Sequence, residues 1–153
     1  MDGAKLLLKL LVKKEKDRLL VLILNILSQL IMKHTLELKG DFTTKETQDI
    51  IIELIDGKAD VVLSDAAPKL TGIKDIDNFR AYDLSMAVIE IIDNILKNNG
   101  NLIMKAFQGE AYQEIIKNLK KKFRNVKTTK PNSSRKRSAE MYVIARGFRG
   151  SKK

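Results

Sequence analysis

No cysteine occurs in the 153 residues, which excludes disulfides and thiolate metal sites. A single histidine, His34, excludes a site built from several imidazoles, and no metal is expected. The lack of thiols suits a reducing compartment, so the expected localisation is cytoplasmic. Aromatic side chains reach only 5%, so base stacking is expected to be minor in any nucleic-acid contact. No G-x-G-x-x-G turn is present, which leaves a nicotinamide-dependent dehydrogenase without its fingerprint. Long uncharged apolar runs are missing too. Residues 19–32, LLVLILNILSQLIM, are too few for a membrane span and include Asn25, Ser28 and Gln29. The opening MDGAKLLLKLLVKKEK sets Asp2 ahead of its first lysine and breaks its apolar run with lysines, unlike a secretory leader.

Acidic residues are also in short supply. Twenty-nine Lys and Arg face nineteen Asp and Glu, a formal net charge of +10. Such a surface attracts polyanions. The excess is local: residues 117–137, KNLKKKFRNVKTTKPNSSRKR, hold ten basic residues and no acidic one. A block of one sign points to an anionic partner rather than to a general lysine bias.

What is present suits one globular domain spanning 1–153, with 44% hydrophobic residues to build a core. Helical and strand patterns alternate along it. Leu7, Leu10 and Leu11 have helical spacing, predicting an amphipathic helix over 4–16. Strands are predicted over 19–24 and 35–39, and a helix capped by Thr43 or Thr44 runs to 55. A strand follows over 59–63, then helix 80–97, strand 101–107 and a basic helix 112–123. Two short strands, 126–129 and 141–145, flank a basic loop at 130–139. This rhythm predicts an α/β fold with a mostly parallel sheet and helices on both faces. Phe107, Tyr112, Phe123 and Tyr142 are assigned to its core.

The segment 61–72, VVLSDAAPKLTG, ends an apolar strand on a carboxylate and turns at once. In open sheets of this type ligands lie beyond the carboxyl ends of the strands, and Asn25, Asp41, Asp65 and Lys105 all fall at such ends. Carboxylates there suit the hydroxyl or amino groups of a nucleoside-bearing cofactor. Lys105, in LIMKAF, has two readings. Partial burial lowers its pKa and makes the amine a proton acceptor, or it forms a structural ion pair with Asp65.

Three separated blocks then agree with one family. VVLSDAAPKLTG, MKAFQGE and KPNSSRKRSAEMYVIARG resemble, in order and spacing across 36–149, the FtsJ-like RNA ribose 2′-O-methyltransferases. Asp65, Lys105 and Glu140 match the last three members of that family's catalytic tetrad. The resemblance implies a Rossmann-like fold, S-adenosyl-L-methionine as cofactor and RNA as partner, ribosomal large-subunit RNA or tRNA. It further implies that Lys105 helps deprotonate a ribose 2′-hydroxyl, that Asp65 orients Lys105 beside the cofactor, and that Glu140 supports both. Asp41 matches the aspartate near the adenine, and Asn25 stands where the family has a ribose-binding acid. Lys130, Ser133, Ser134, Arg135 and Arg137 fall in the family's KPxSSR segment and are assigned to RNA. Residues 1–35 depart from the family. Its first strand, glycine-rich loop and front lysine have no counterpart here, so the expectation is a truncated or divergent member with weak transfer. The competing reading is a non-catalytic RNA-binding remnant of the same fold.

Overall fold

The computed structural model describes residues 8–14, 17–24, 44–55, 58–130 and 139–150. Along the chain these form β1 (Leu8–Lys14), β2 (Asp17–Leu24), α1 (Lys45–Ile55), β3 (Ala59–Ser64), α2 (Lys74–Ile95), β4 (Leu96–Phe107), α3 (Tyr112–Lys122), β5 (Phe123–Thr129) and β6 (Glu140–Phe148). The six strands make one sheet in the order β1-β2-β3-β4-β6-β5. The fold is α/β and Rossmann-like, with three helices between the strands among the described residues.

Two expectations need correction. The first is the helix over 4–16: Leu8–Lys14 is a strand paired antiparallel to β2, with Leu8 opposite Ile23 and Lys14 opposite Asp17. The same residues also alternate, Leu8, Leu10 and Val12 against Lys9 and Lys13, and pairing with the adjacent apolar run favours the period of two. The second is the mostly parallel sheet. Only β3 and β4 run parallel among the described strands. β2 opposes β3, β6 opposes β4, and β5 opposes β6. The physical reason for the last two is the connection: residues 130–139 are too few for the crossover of a dozen or more residues that a parallel pair requires, so the chain reverses. The predicted strand 35–39 lies outside the described residues.

The core lies on one face of the sheet. Along β4, Leu102, Met104 and Ala106 are buried, as are Val62 on β3 and Val143 and Ala145 on β6. Against them pack Val88, Ile89, Ile92 and Ile95 of α2 and Ile115 and Leu119 of α3, and α1 adds Ile51 to the same cluster. The described helices therefore share one core on that face, a further correction, since helices were expected on both faces. Phe123 and Phe148 close its far end, their rings 5.3 Å apart and tilted by 48°. Deleting either buried ring would cost about 3–5 kcal/mol.

Helix ends explain where the layers stop. The Thr44 hydroxyl accepts the Thr47 N–H at 3.3 Å, the expected side-chain cap of α1. α2 begins at Lys74, six residues before the predicted start, because the acidic residues Asp75 and Asp77 occupy its first turn and favour the positive helix end. At its other end the Lys58 ammonium donates to the Asn94 carbonyl at 2.6 Å, satisfying an otherwise orphaned acceptor. No described helix is long and apolar enough to cross a membrane.

Candidate active site

The opposite face of the sheet carries the odd-numbered residues of β4, among them Ile103, Lys105 and Phe107, which are only half-buried. Strand alternation puts Lys105 there, and pairing supplies its neighbours. Across the antiparallel β4–β6 ladder, Lys105 faces Tyr142 and Phe107 faces Glu140. Across the parallel pair, Ser64 faces Met104, so Asp65, the next residue, comes level with Lys105. On the outer side Thr129 of β5 faces Tyr142. One row thus crosses the carboxyl ends of β3, β4 and β5 and the amino end of the opposed β6: Asp65, Lys105, Tyr142, Thr129.

Asp65, Lys105 and Glu140, 40 and 35 residues apart in the chain, meet there. The Lys105 ammonium lies 2.9 Å from Asp65 Oδ1 and 3.9 Å from Glu140 Oε1. Its side chain is 13% exposed, whereas those of Asp65 and Glu140 are 50% and 39% exposed. A nearly covered cation is held by two carboxylates that open to solvent. The Gln108 N–H extends the ladder by donating to the Ala139 carbonyl at 2.8 Å, which pins the start of β6 and with it Glu140.

Electrostatics decides between the two readings of Lys105 at rest. Burial by itself pushes its pKa down, as the sequence suggested. The hydrogen bond and charge of Asp65, with Glu140 and Tyr142 adding to them, outweigh burial and raise it. Of the two readings the ion pair with Asp65 therefore describes the resting state, with the amine as its protonated member.

Tyr142 was missed by the sequence reading, which put it in the core. Its hydroxyl donates to Asp65 Oδ1 at 3.1 Å, so Asp65 Oδ1 receives both Lys105 and Tyr142. Burial, and then the nearby Asp65 charge, raise the pKa of the phenol and keep it a donor. The signal was available: Glu140 and Tyr142 are two apart on a strand, hence on one face. Phe123 is buried as expected.

Of the remaining assigned residues, Lys130 is described and exposed, just past Thr129 at the same edge. Asn25, Asp41, Ser133, Ser134, Arg135 and Arg137 lie outside the described residues.

Fold and row together define a Rossmann-like α/β domain with its polar cluster at the carboxyl edge of the sheet. The model of the FtsJ-like methyltransferases matches residues 21–148, and the chain belongs to that family. Among curated relatives, the ribosomal RNA large subunit methyltransferase E of Methanobrevibacter smithii is 56% identical over 115 residues, covering 75% of this chain and 55% of the relative. The protein of the same name from Methanothermobacter thermautotrophicus is 52% identical over 116 residues, covering 76% and 55%. The chain thus spans about half the length of these relatives. A crystal structure of a Plasmodium falciparum protein described as a ribosomal RNA methyltransferase superposes with a TM-score of 0.67. It covers 78% of this chain and 67% of that one at 24% identity, a likeness of fold.

Proposed function

We propose that this domain methylates the 2′-hydroxyl of a ribose in RNA, with S-adenosylmethionine as donor and large-subunit ribosomal RNA as the substrate class. The observation that carries the reading is the convergence of Asp65 and Lys105, at the carboxyl ends of β3 and β4, with Glu140 at the start of the opposed β6. The names of the relatives and the net charge of +10 support RNA as partner.

The residues present fit the cofactor. Lys105 and Tyr142 both bind Asp65 Oδ1, so Oδ2 of this half-exposed carboxylate is an acceptor for an ammonium or hydroxyl at the strand end. When bound, the cofactor supplies an electrophilic methyl and a positive sulfonium. Asp41 and Asn25 are further proposed holders of its adenosine part.

A ribose hydroxyl is a weak nucleophile, so the chain's task is alignment and removal of a proton. Lys105, covered and held from two sides, has little freedom to swing, which fixes the point at which a hydroxyl can be met. In the resting ion pair it donates a hydrogen bond to that oxygen and stabilises negative charge developing there. To accept the hydroxyl proton it must first release its own, and Asp65 and Glu140 set how readily it does so. The neutral Lys105 amine would take up the hydroxyl proton as the oxygen accepts the methyl group that the cofactor would supply. Lys130, Ser133, Ser134, Arg135 and Arg137 are proposed to hold the phosphates beside it.

Calorimetry tests the reading: S-adenosylmethionine should bind the chain, and Asp65→Ala should abolish or strongly weaken that binding. Unchanged binding by Asp65→Ala would overturn the assignment of the rim. RNA binding without cofactor binding would favour the non-catalytic alternative.

A further inference from the structure

The segment that follows Asp65 folds back on the start of α2 through its polar groups. The Asp77 carboxylate accepts the Thr71 N–H at 2.7 Å, the Thr71 hydroxyl at 2.7 Å and the Gly72 N–H at 3.1 Å. The Thr71 hydroxyl in turn accepts the Ile73 N–H at 3.2 Å, and Arg80 donates to the Lys69 carbonyl at 3.0 Å. Gly72 allows the fold-back with φ of +85°. These bonds, led by the Thr71 N–H, hold the Asp77 carboxyl below its usual range. The loop is thereby fixed to the first two turns of α2.

The apolar groups turn outward. Leu70 is 65% exposed, Ile73 56%, Ile76 41% and Phe79 69%. They are four of the five large hydrophobic side chains exposed among the described residues, gathered within ten positions. Ile76 and Phe79 share a helix face at i and i+3, and the loop bonds hold the backbone on either side of Leu70 to the same two turns. A rigid apolar platform facing water marks a binding surface, and its rigidity lowers the cost of ordering on binding.

Position and charge say what it binds. The platform continues directly from Asp65 at the end of β3. It also touches the end of β4: a Cβ on Gly109 would sit 2.8 Å from Asn78 Oδ1, so α2 presses on the loop just past Lys105. Both strands of the ion pair therefore run into this surface. Lys69 and Lys74 are exposed on it and Arg80 borders it, outnumbering the one exposed carboxylate of this stretch, Asp75, while Asp77 is engaged by the loop. Apolar and aromatic groups among cations, beside a site for a ribose, match an unpaired nucleotide: base on the ring and side chains, phosphate on the lysines.

We infer that the Leu70–Phe79 platform takes the unstacked base of a nucleotide neighbouring the target ribose, so that a strand whose base is free to leave its stack binds there better than a paired one. This deepens the RNA reading and rests on it. The test uses an oligouridylate carrying one 2-aminopurine, with a fully paired RNA duplex of equal length beside it. Binding to the native chain should quench the 2-aminopurine, and the single strand should bind more tightly than the duplex. Phe79→Ala should relieve the quench and weaken single-strand binding about ten-fold or more. It should leave the salt dependence unchanged, because no phosphate contact is lost. Phe79→Tyr should restore both.

Equal quenching by Phe79→Ala, or equal affinity for strand and duplex, would overturn the inference and leave RNA binding standing. Failure of the native chain to bind either RNA would overturn the RNA reading and this inference together. Concentration-dependent dimers that Phe79→Ser dissolves would assign the platform to a second copy of the chain and overturn it as well.

Discussion

The two ends of the sheet both carry lysine–carboxylate pairs, and the pairs differ in kind. At the end away from the rim, Lys97 meets Asp60 at 2.7 Å with side chains 33% and 22% exposed, and Lys122 meets Asp93 with comparable exposure on both sides. Each joins side chains of similar exposure, tying a strand to a neighbour or a helix end to a helix end. At the rim, one nearly covered cation faces two open carboxylates and a phenol. An evenly shared pair fastens structure, whereas a lopsided cluster stores charge beside solvent, where a substrate can use it.

Breaking the rim should change chemistry and spare stability; breaking the far pairs should do the reverse. The largest effect is expected for Lys105→Ala, which should slow methyl transfer to RNA by about 10²–10⁴-fold while the thermal midpoint moves little. A large loss of stability with the rate retained would reverse the contrast. Asp65→Asn comes next. It removes the charge that outweighs burial at Lys105, so the alkaline rise in a pH–rate profile should move to lower pH.

The sign of that shift has a stability counterpart. A lysine whose folded pKa is raised above 10.5 contributes stability in full below its unfolded pKa and loses it as pH rises through the folded one. The rim pair should therefore hold throughout the neutral range and fail only in strong alkali. Asp65→Asn should remove that alkaline sensitivity from the unfolding curve.

Tyr142→Phe should have a smaller effect, a several-fold loss of rate with the alkaline limb displaced, since one donor to Asp65 Oδ1 disappears and Lys105 stays. A merely structural tyrosine would leave the pH profile in place. Smallest of all, Lys97→Ala should cost about 0.2–1 kcal/mol in denaturant unfolding and leave transfer untouched.

The rim was readable in the sequence because its residues sit in motifs whose types and order are distinctive, so Asp65, Lys105 and Glu140 could be named before their distances were known. Tyr142 was overlooked because an aromatic amid apolar neighbours looks like core until strand parity is followed from Glu140. The electrostatics of Lys105 was half legible. Apolar flanks in LIMKAF announce burial, but the compensating charge comes from residues remote in sequence. Phe79 carries a related lesson, since a low aromatic content says nothing about where one ring is placed. The segment 8–14 satisfied helical and strand periods at once, and only its partner strand decided between them. The direction of β6 was hidden because a parallel sheet was extrapolated past the last helix.

The ladder between β4 and β6 has a consequence for how such a domain can vary. Lys105 is set opposite Tyr142, and Phe107 opposite Glu140, by hydrogen bonds between strands, and Gln108 and Ala139 clasp the mouth of the intervening excursion. Between those two residues the polypeptide can lengthen or shorten its surface loops without altering the distance from amine to carboxylate. Substrate preference can thus be rewritten in the excursion while the reacting geometry is inherited intact.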